Sequence, residues 1–398
     1  MKADIFVAGA GASGLACAGA LARLGHRVAL AEARPALGGT LRSLPGYLGS
    51  PACDRRLLAE LERGLGPIEV LLDTRLRAIR GGPGRFQLDL DGAGGEARTV
   101  VLATGLERTS VPEAHGLKAG PRVLGLSALA ELLGRPETAI ARLRGRRLAL
   151  FLDGSAADSR RQHAAALNLA IAARRDFAAE VTWFGRDLRV AGEGLDARYR
   201  VARDLGVTFF KQGERPLKLQ DEGDSFFVEA WLDGLPVGVN LDLAAIDERE
   251  TPRGEAHLPA GGQVDPGPAR PNMRLGNRSP RPGIFLAGSL RADLDLEGCL
   301  GDGHAAAAAV AAFLRQPAEE ARARVDGQRC ARCLTCVRLC PHRAIAIQPD
   351  PAGIRLVAVP DPAACRGCGA CAAACPALAI TIPSSTDEAI YGRLGVTA

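Results

Sequence analysis

Short apolar runs alternate with longer segments of helical periodicity along much of the chain. Residues 5–8 read as a buried strand, an Ala/Leu-rich helix follows to about Leu24, and residues 27–31 form the next strand. Residues 100–105 and 283–288 are two further apolar runs that each end in a glycine turn. Strands that alternate with helices in this way predict an α/β fold built on a parallel sheet.

The middle of the chain repeats this alternation with fewer glycines. Its strands are predicted at 147–152, 180–184 and 207–210, and its helices at 164–173 and 198–205. This second pattern indicates another α/β domain inserted into the first. Residues 211–282 are rich in Gly, Pro and charged residues and give no interpretable pattern.

A glycine loop stands between the first strand and the first helix, with the sequence Gly9-Ala10-Gly11-Ala12-Ser13-Gly14. Glycines there let the backbone approach a pyrophosphate at a helix N-terminus, and Glu32, after the next strand, can accept hydrogen bonds from ribose hydroxyls. Gly38-Gly39 makes a second close-approach turn, which favours FAD over NAD. The FAD contacts predicted in this half are Gly9, Gly11, Ser13, Gly14, Glu32, Ala33, Arg34, Gly38, Gly39 and Thr40.

Two later segments are expected to close the same FAD site. Gly301 is predicted to open an alanine-rich helix through Leu314, whose dipole would lie under the isoalloxazine. Asp302 and His304 are candidates to touch the ring, and the alternative is that they cap the helix. The FAD contacts predicted from these segments are Ala103, Thr104, Gly105, Gly288, Gly301, Asp302, Gly303 and His304.

Cysteines near the end of the chain follow one spacing twice, Cys-x-x-Cys-x-x-Cys-x-x-x-Cys-Pro. Two such runs are the signature of a bacterial-type ferredoxin with two 4Fe-4S clusters, in which the fourth cysteine of each run ligates the other cluster. Structural zinc sites and disulfide frameworks use other spacings. We therefore predict one cluster on Cys330, Cys333, Cys336 and Cys375, and a second cluster on Cys365, Cys368, Cys371 and Cys340.

The ferredoxin segment is an internal duplication. An apolar run follows each Cys-Pro pair, at 344–347 and 377–380, and residues 354–359 are a further strand candidate. So small a domain cannot fold on apolar burial alone, and cluster binding is expected to supply much of its folding energy. A polar, partly helical linker is predicted at 315–328, and the residues after Pro383 carry no assignment.

Composition narrows the classes of function. The chain has 398 residues, 47% of them apolar, which is enough to form the cores of two or three domains. A net charge of only +5, scattered arginine pairs and 4% aromatic residues argue against a nucleic-acid surface. Eight of the eleven cysteines lie in the two runs, which indicates a reducing, cytoplasmic compartment. No signal peptide precedes the glycine loop, and no apolar run reaches membrane-spanning length.

Three cysteines lie outside the two runs. Cys17 is expected in the core of the first helix, and Cys53 is isolated. Cys299 is expected to be buried filler, with a flavin-adjacent thiol as the alternative. Thiol–disulfide catalysis is disfavoured because the flavin half has no Cys-x-x-Cys motif. No residue is assigned a catalytic role.

Taken together, these motifs resemble the A subunit of heterodisulfide reductase and the flavin subunits of quinone-interacting membrane-bound oxidoreductase complexes. The most family-specific part is a stretch at 185–194 that continues through 199–209. The rest of the resemblance is carried by the glycine loop with Glu32 and Gly38-Gly39, by residues 101–105 and 283–288, and by the cysteine runs.

The chain departs from the larger members of that family in one respect. They carry extra cysteines after a glycine-serine turn, to hold a further cluster, but Gly154-Ser155 is followed by no cysteine before Cys299. The resemblance therefore implies a shortened version, with one FAD and two 4Fe-4S clusters, that relays electrons to other redox subunits of a larger complex.

The predicted class is an α/β, two-dinucleotide-binding-domain (Rossmann-like) flavoprotein with a C-terminal α+β bacterial-type ferredoxin domain. The predicted function is electron transfer between FAD and two clusters, with any membrane contact made only through a partner and with a homo-oligomer allowed. The alternative is a self-contained NAD(P)H-dependent oxidoreductase, although the inserted domain lacks a GxGxxG loop after its first strand. The predicted divisions are an FAD-binding domain at 1–110 and 281–316, an inserted degenerate α/β domain at 111–280, a linker at 317–328, the ferredoxin domain at 329–384 and a tail at 385–398.

Overall fold

The computed structural model describes residues 1–44, 46–47, 51–154, 159–188, 194–211, 217–232, 235–253, 276–279, 281–315, 322–350, 353–361, 364–365 and 367–395. Of residues 51–54, 232 and 393 it describes the backbone alone. Part of the family-specific stretch, residues 189–193, lies outside the described residues, as do residues 155–158 after the glycine-serine turn.

The first part of the chain builds a mixed sheet from a parallel half and an antiparallel half. Its elements are β1 Lys2–Ala8, α1 Ala12–Arg23, β2 Val28–Ala31, α2 Thr40–Ser43, α3 Pro51–Arg63, β3 Glu69–Leu71, β4 Leu76–Gly82, β5 Arg85–Leu90, β6 Ala93–Leu102 and β7 Leu106–Ser110. The strand order is β3-β2-β1-β6-β5-β4, with β3, β2, β1 and β6 parallel and β6, β5 and β4 antiparallel. Every residue of β2 is buried, as expected for a parallel strand covered on both faces.

The predicted inserted α/β pattern is confirmed. The elements are β8 Val123–Gly125, α4 Leu126–Leu133, α5 Pro136–Leu143, β9 Arg147–Phe151, α6 Arg160–Phe177, β10 Glu180–Gly185, α7 Leu195–Asp204, β11 Thr208–Lys211, β12 Lys218–Asp221, β13 Phe226–Leu232, β14 Leu235–Leu241, β15 Leu243–Ile246 and β16 Glu248–Pro252. A parallel sheet has the order β11-β10-β9-β15-β8. β12, β13 and β14 form an antiparallel sheet in the stretch that the sequence pattern left uninterpreted.

A two-stranded ribbon carries the chain into the inserted part and back again. β7 pairs with β16 in antiparallel fashion, and Ser110 lies opposite Glu248. The chain then adds β17 Ile284–Leu286, which pairs in parallel with β6, and α8 Leu296–Arg315, which packs against α1. The late strand predicted at 283–288 therefore does return to the first sheet.

The last part of the chain shows the expected duplicated pattern. Its elements are β18 Arg324–Val325, α9 Thr335–Leu339, β19 Ile345–Pro349, β20 Leu356–Pro360, α10 Ala370–Ala373, β21 Ile380–Thr381 and α11 Asp387–Leu394. β18 pairs with β21, and β19 pairs with β20. The partly helical linker predicted at 315–328 is thus wrong at β18, because this segment is a strand that completes the ferredoxin part. The unassigned tail contains α11, which Thr386 caps by accepting a hydrogen bond from the Ala389 amide at 3.3 Å.

No helix among the described residues is both long enough and apolar enough to cross a lipid bilayer.

Candidate dinucleotide and cluster sites

The glycine loop between β1 and α1 has two tight contacts and one open side. A side-chain carbon on Gly9 would lie 2.4 Å from the Ala103 carbonyl oxygen, and one on Gly14 would lie 1.8 Å from the Gly9 carbonyl oxygen. Around Gly11, a side-chain carbon would meet no atom of the described residues within 4 Å. Gly11 is the N-cap of α1, so the open side lies at a helix N-terminus, where free amides suit a phosphate. The residues present fit a dinucleotide pyrophosphate.

Glu32 holds this loop in place. Its buried carboxylate accepts a hydrogen bond from the Ala10 amide at 2.8 Å and another from the Arg34 amide at 3.1 Å. Ala33 and Arg34 are exposed beside it. The acid predicted to face a ribose therefore also ties the glycine loop to the end of β2.

The second glycine turn lies directly against the first. The Gly38 amide donates to the Ala10 carbonyl oxygen at 2.8 Å, and a side-chain carbon on Gly39 would lie 3.0 Å from the Gly11 Cα atom. Both glycines have positive φ, 111° and 49°. Thr40 starts α2 immediately afterwards. The structure thus brings the two predicted glycine turns together around one opening.

Thr104 and Gly105 connect the first sheet to the ribbon. The Thr104 hydroxyl donates to the Arg253 carbonyl oxygen at 2.5 Å, and the Arg253 amide donates to the Gly105 carbonyl oxygen at 3.0 Å. Burial and the neighbouring positive charge of Arg34 lower the pKa of the Arg253 guanidinium. The basic residues Arg34 and Arg253 therefore lie near each other beside Glu32, on the side where an anionic cofactor is expected.

The predicted start of the late helix at Gly301 is wrong. α8 begins at Leu296, where the Asp295 carboxylate accepts from the Gly298 amide at 2.9 Å, so Gly301–His304 lie inside the helix. Glycine is needed at 303 because α8 crosses α1 there, and a side-chain carbon would lie 2.4 Å from the Ser13 carbonyl oxygen. His304 is exposed.

Asp302 links α8 to the turn after β17 and does not cap the helix. Its buried carboxylate accepts from the Gly288 amide at 2.6 Å and from the Arg291 Nε atom at 3.0 Å. Gly288 has a φ of 74°, and a side-chain carbon there would lie 2.2 Å from the Ser13 hydroxyl oxygen. Asp302 therefore positions the turn that packs on the glycine loop.

Asp302→Ala is expected to destabilise the fold by about 3 kcal/mol, because it leaves the Arg291 guanidinium and the Gly288 amide without their buried partner. Urea unfolding measures the effect. Asp295→Ala is the matched control in the same segment, and loss of that helix cap should cost only about 1 kcal/mol. Equal losses in the two variants would contradict a buried positioning role for Asp302.

The two cysteines described in the flavin half are buried. Burial, together with the nearby Asp302 charge, raises the pKa of the Cys17 thiol to about 12, which makes it an unreactive core residue as predicted. Cys299 is 6% exposed and packs against Ala12 of the glycine loop, with its Sγ atom 3.4 Å from the Ser289 hydroxyl. The side chain of Cys53 lies outside the described residues.

The inserted part differs from the first part at the equivalent glycine. Gly154 is the third residue after β9, as Gly11 is the third after β1. A side-chain carbon on Gly154 would lie 2.2 Å from the His115 ring, whose Nε2 atom is 2.5 Å from Asp247. His115 and Asp247 are both buried. A fixed imidazole therefore covers the position that is open in the first part.

An ion pair stands at the N-terminus of α6, next to Gly154 in the chain. The Ser159 hydroxyl caps the helix by accepting from the Gln162 amide at 3.3 Å. Arg161 is 5% exposed, and its guanidinium pairs with Glu250 and lies 3.4 Å from Asp293. Because Asp293 precedes α8, this contact also joins the inserted part to the first part.

Glu248 sits in the same interface with a raised pKa. Its carboxylate accepts from the Ser127 hydroxyl at 2.6 Å and the Ser127 amide at 3.0 Å, but burial outweighs these bonds and raises its pKa. A carboxyl whose pKa is higher in the folded state stabilises the fold at low pH. That contribution falls as pH rises above the unfolded value of about 4.3.

Glu248→Gln is therefore expected to flatten the dependence of stability on pH. The wild-type chain should lose up to about 1.4 kcal/mol per pH unit from this residue while it titrates, and the variant should not. Urea unfolding of both proteins from pH 5 to 7.5 gives the two slopes. Parallel slopes would show that Glu248 titrates at its ordinary pKa.

The predicted cluster ligands gather in the crossed sets that their spacing suggests. One concavity is lined by Cys330, Cys333, Cys336 and Cys375, and another is lined by Cys340, Cys365, Cys368 and Cys371. In each run the amide four residues after the last cysteine donates to its sulfur at 3.3 Å, from Ala344 to Cys340 and from Ala379 to Cys375. The two halves therefore repeat the sulfur environment as well as the spacing.

The thiols of these concavities differ in exposure and acidity. Burial raises the pKa of Cys336, and burial with the nearby Cys365 and Cys340 thiols raises that of Cys371. The hydrogen bond from the Thr335 hydroxyl lowers the pKa of Cys333, which is exposed. The influence of Cys340 on Cys371 shows that a cysteine of the first run lies near the second set.

Comparisons with known proteins agree with this geometry. Residues 329–379 match the family model of a 4Fe-4S dicluster domain, and residues 7–47 match that of an NAD(P)-binding Rossmann-like domain. Similar solved structures include thioredoxin reductases from T. acidophilum and Lactococcus lactis, with TM-scores of 0.55 at 15% and 19% identity, each covering 79% of this chain and 99% of the other. The bacillithiol disulfide reductase of Bacillus cereus has a TM-score of 0.54 at 15% identity over 78% of this chain and 99% of its own. At these identities the likeness concerns the fold.

The fold and the matched domains define the class as a two-dinucleotide-binding-domain flavoprotein reductase fold joined to a dicluster iron–sulfur domain. In sequence, the chain is similar to the second iron-sulfur A subunit of the CoB–CoM heterodisulfide reductase of Methanopyrus kandleri, at 29% identity over 177 residues. The match covers 40% of this chain and 26% of the relative, so this chain aligns with about a quarter of the relative's length. The resemblance to the heterodisulfide reductase A subunit predicted from the motifs is confirmed.

Proposed function

We propose that the chain is an electron-transfer subunit that binds FAD in its first part and exchanges electrons between that FAD and two 4Fe-4S clusters in its last part. The observation that carries the proposal is one open glycine cradle at Gly11 in the same chain as two four-thiol concavities. When bound, FAD supplies a centre that exchanges electrons in pairs or singly, whereas a cluster moves one at a time.

The residues of the chain divide the work of such a protein. The amides around Gly11 and the N-terminus of α1 would hold the pyrophosphate, and Glu32 would receive the ribose. Asp302 and Gly288 set the turn that closes the loop from the α8 side. The cysteine runs would hold one cluster on Cys330, Cys333, Cys336 and Cys375 and another on Cys340, Cys365, Cys368 and Cys371.

The test is the cofactor content of the whole chain. After anaerobic purification we expect FAD and about eight iron atoms per chain, four for each cluster. Full iron content without flavin would refute electron exchange between flavin and clusters. Flavin without iron would refute the relay.

The covered glycine of the inserted part counts against a self-contained NAD(P)H oxidoreductase. Because the His115 ring lies over Gly154, a nicotinamide dinucleotide has no equivalent of the Gly11 opening there. NADH or NADPH added to the holoprotein should therefore not bleach the flavin on a stopped-flow time scale, while dithionite should. Rapid bleaching by either nucleotide would establish the alternative.

The molecular setting of the chain is part of the same proposal. A chain with a flavin and clusters but no assigned catalytic residue needs other redox subunits as donor and acceptor, and the relative in Methanopyrus kandleri is named as one component of such an enzyme. We place the chain in the reducing cytoplasm, where free cysteines persist, and assign any membrane contact to a partner. The functional divisions follow the predicted boundaries, with the ferredoxin part extended back to β18.

A further inference from the structure

We propose that the rim of the first cluster concavity docks an acidic electron-transfer protein. The first-cluster rim is defined here as Arg329, Arg332, Leu334 and Leu378. The proposal rests on the proposed function only in requiring that the Cys330 concavity holds a cluster. It adds the surface through which electrons leave the chain and the chemistry of the partner that receives them.

Backbone geometry first singles out two of these side chains. Arg332 and Leu334 have positive φ values of 57° and 62°, a conformation that disfavours any residue with a side chain. The duplicated half places Gly367 and Gly369 at the same two positions, with φ values of 62° and 81°. Glycine therefore satisfies this loop at lower cost, yet the first half keeps two large side chains there.

Those side chains point to solvent at the edge of the cluster concavity. Arg332 and Leu334 line the concavity beside Cys333, which is itself exposed. Leu334 is 38% exposed, and Leu378, three residues after Cys375, is 67% exposed. Neither strain nor exposure contributes to folding. Both are consistent with residues kept for contact with another molecule.

The charge around the rim is of one sign. No Asp or Glu occurs at 327–349 or at 362–386, whereas Arg329, Arg332, Arg338 and Arg343 do. All four arginines are exposed, and no ion pair joins them to another of the described residues. Arginine pairs in bidentate fashion with carboxylates, and a small apolar centre within a charged border is the usual plan of a transient interface. The complementary surface is therefore carboxylate-rich with an apolar centre.

A kinetic test uses small acceptors of opposite charge. The holoprotein is reduced with dithionite and mixed with anionic iron(III)–EDTA or with cationic hexaamminecobalt(III). In either case one electron passes from a cluster to one metal complex and no proton moves. At low ionic strength, Arg329→Glu/Arg332→Glu should slow oxidation by the anion about tenfold and accelerate oxidation by the cation. The difference should vanish at about 1 M salt.

The control variant carries the same charge change elsewhere. Arg55→Glu/Arg135→Glu replaces two exposed arginines outside the ferredoxin part and should leave both rates unchanged. A change in the same direction with both acceptors would indicate an altered cluster potential and would overturn the docking surface. Unchanged rates would overturn it as well. Because dithionite reduces the clusters directly, the result does not depend on whether FAD binds.

A protein acceptor tests the apolar part of the rim. Reduction of an acidic flavodoxin by the reduced holoprotein should be salt-sensitive and about tenfold slower in Arg332→Gly/Leu334→Gly, with iron content unchanged. Equal rates in this variant and the wild type would overturn the proposal. Sedimentation with vesicles of anionic phospholipid, if lost in Arg329→Glu/Arg332→Glu, would assign the rim to a membrane and also overturn it.

Discussion

Cys375→Ser is expected to remove the cluster held mainly by the other cysteine run and to leave the cluster of its own run in place. The iron content should fall from about eight to about four atoms per chain. The reason is the crossed lining of the concavities, in which Cys375 stands with Cys330, Cys333 and Cys336, while Cys371 stands with Cys340. Iron analysis and low-temperature EPR of the reduced protein measure the loss.

Double variants make this expectation sharp. Cys375→Ser/Cys336→Ser should keep the same iron as Cys375→Ser alone, because both residues serve one cluster. Cys375→Ser/Cys371→Ser should lose nearly all iron and, with it, the folded ferredoxin part, whose stability depends on the clusters. If Cys375→Ser/Cys371→Ser kept half of the iron, each run would bind its own cluster and the crossing would be wrong.

Gly14→Ala and Gly11→Ala are expected to fail for different reasons. At Gly14 the added carbon would lie 1.8 Å from the Gly9 carbonyl oxygen, so β1 and α1 must separate. We expect a loss of about 3 kcal/mol in unfolding free energy and little folded protein. At Gly11 the added carbon meets open space, and the backbone conformation, with φ of −76°, suits alanine.

Gly11→Ala should therefore fold with its clusters intact and bind FAD about 100-fold more weakly, because its methyl group occupies the pyrophosphate approach. Urea unfolding, iron content and flavin titration of the apoprotein separate the two variants. Gly11→Ala with normal flavin affinity would show that the opening is not the cofactor cradle, even if Gly14→Ala behaves as expected.

The sequence was most informative where a backbone requirement admits few residue types. The glycines at 9, 14 and 39 predict a close approach that the structure contains, and the regular cysteine spacing predicts the two concavities. Apolar runs such as 147–152 and 180–184 also predict strands correctly. In these cases the local pattern and the tertiary contact demand the same residue.

Sequence reasoning failed where the deciding contact is distant along the chain. β15 is a short buried run within a stretch rich in Gly, Pro and charge, and it became a strand because β8 and β9 pair with it on both sides. Gly301 and Gly303 suggested a helix start, but the crossing of α8 over α1 explains Gly303. A glycine required by packing has the same letter as a glycine that ends a helix.

The candidate site also contains residues for which no motif exists. Arg161 and Glu250 are 89 positions apart, and His115 and Asp247 are 132 apart, so neither pair has a spacing that a local pattern could reveal. The only signal available was the missing glycine motif after β9, which indicated that something else occupies that corner. The structure identifies it as the imidazole of His115.

The ribbon of β7 and β16 has a consequence for how this chain can vary. The inserted part departs at Ser110 and returns at Glu248, two residues that face each other in one antiparallel pair. Such closely spaced entry and exit points allow a host domain to accept, lengthen or exchange a whole cassette without altering its own sheet. The first sheet and the cofactor cradle can thus stay constant while the cassette between them is replaced, and relatives of different length can share one flavin-binding core.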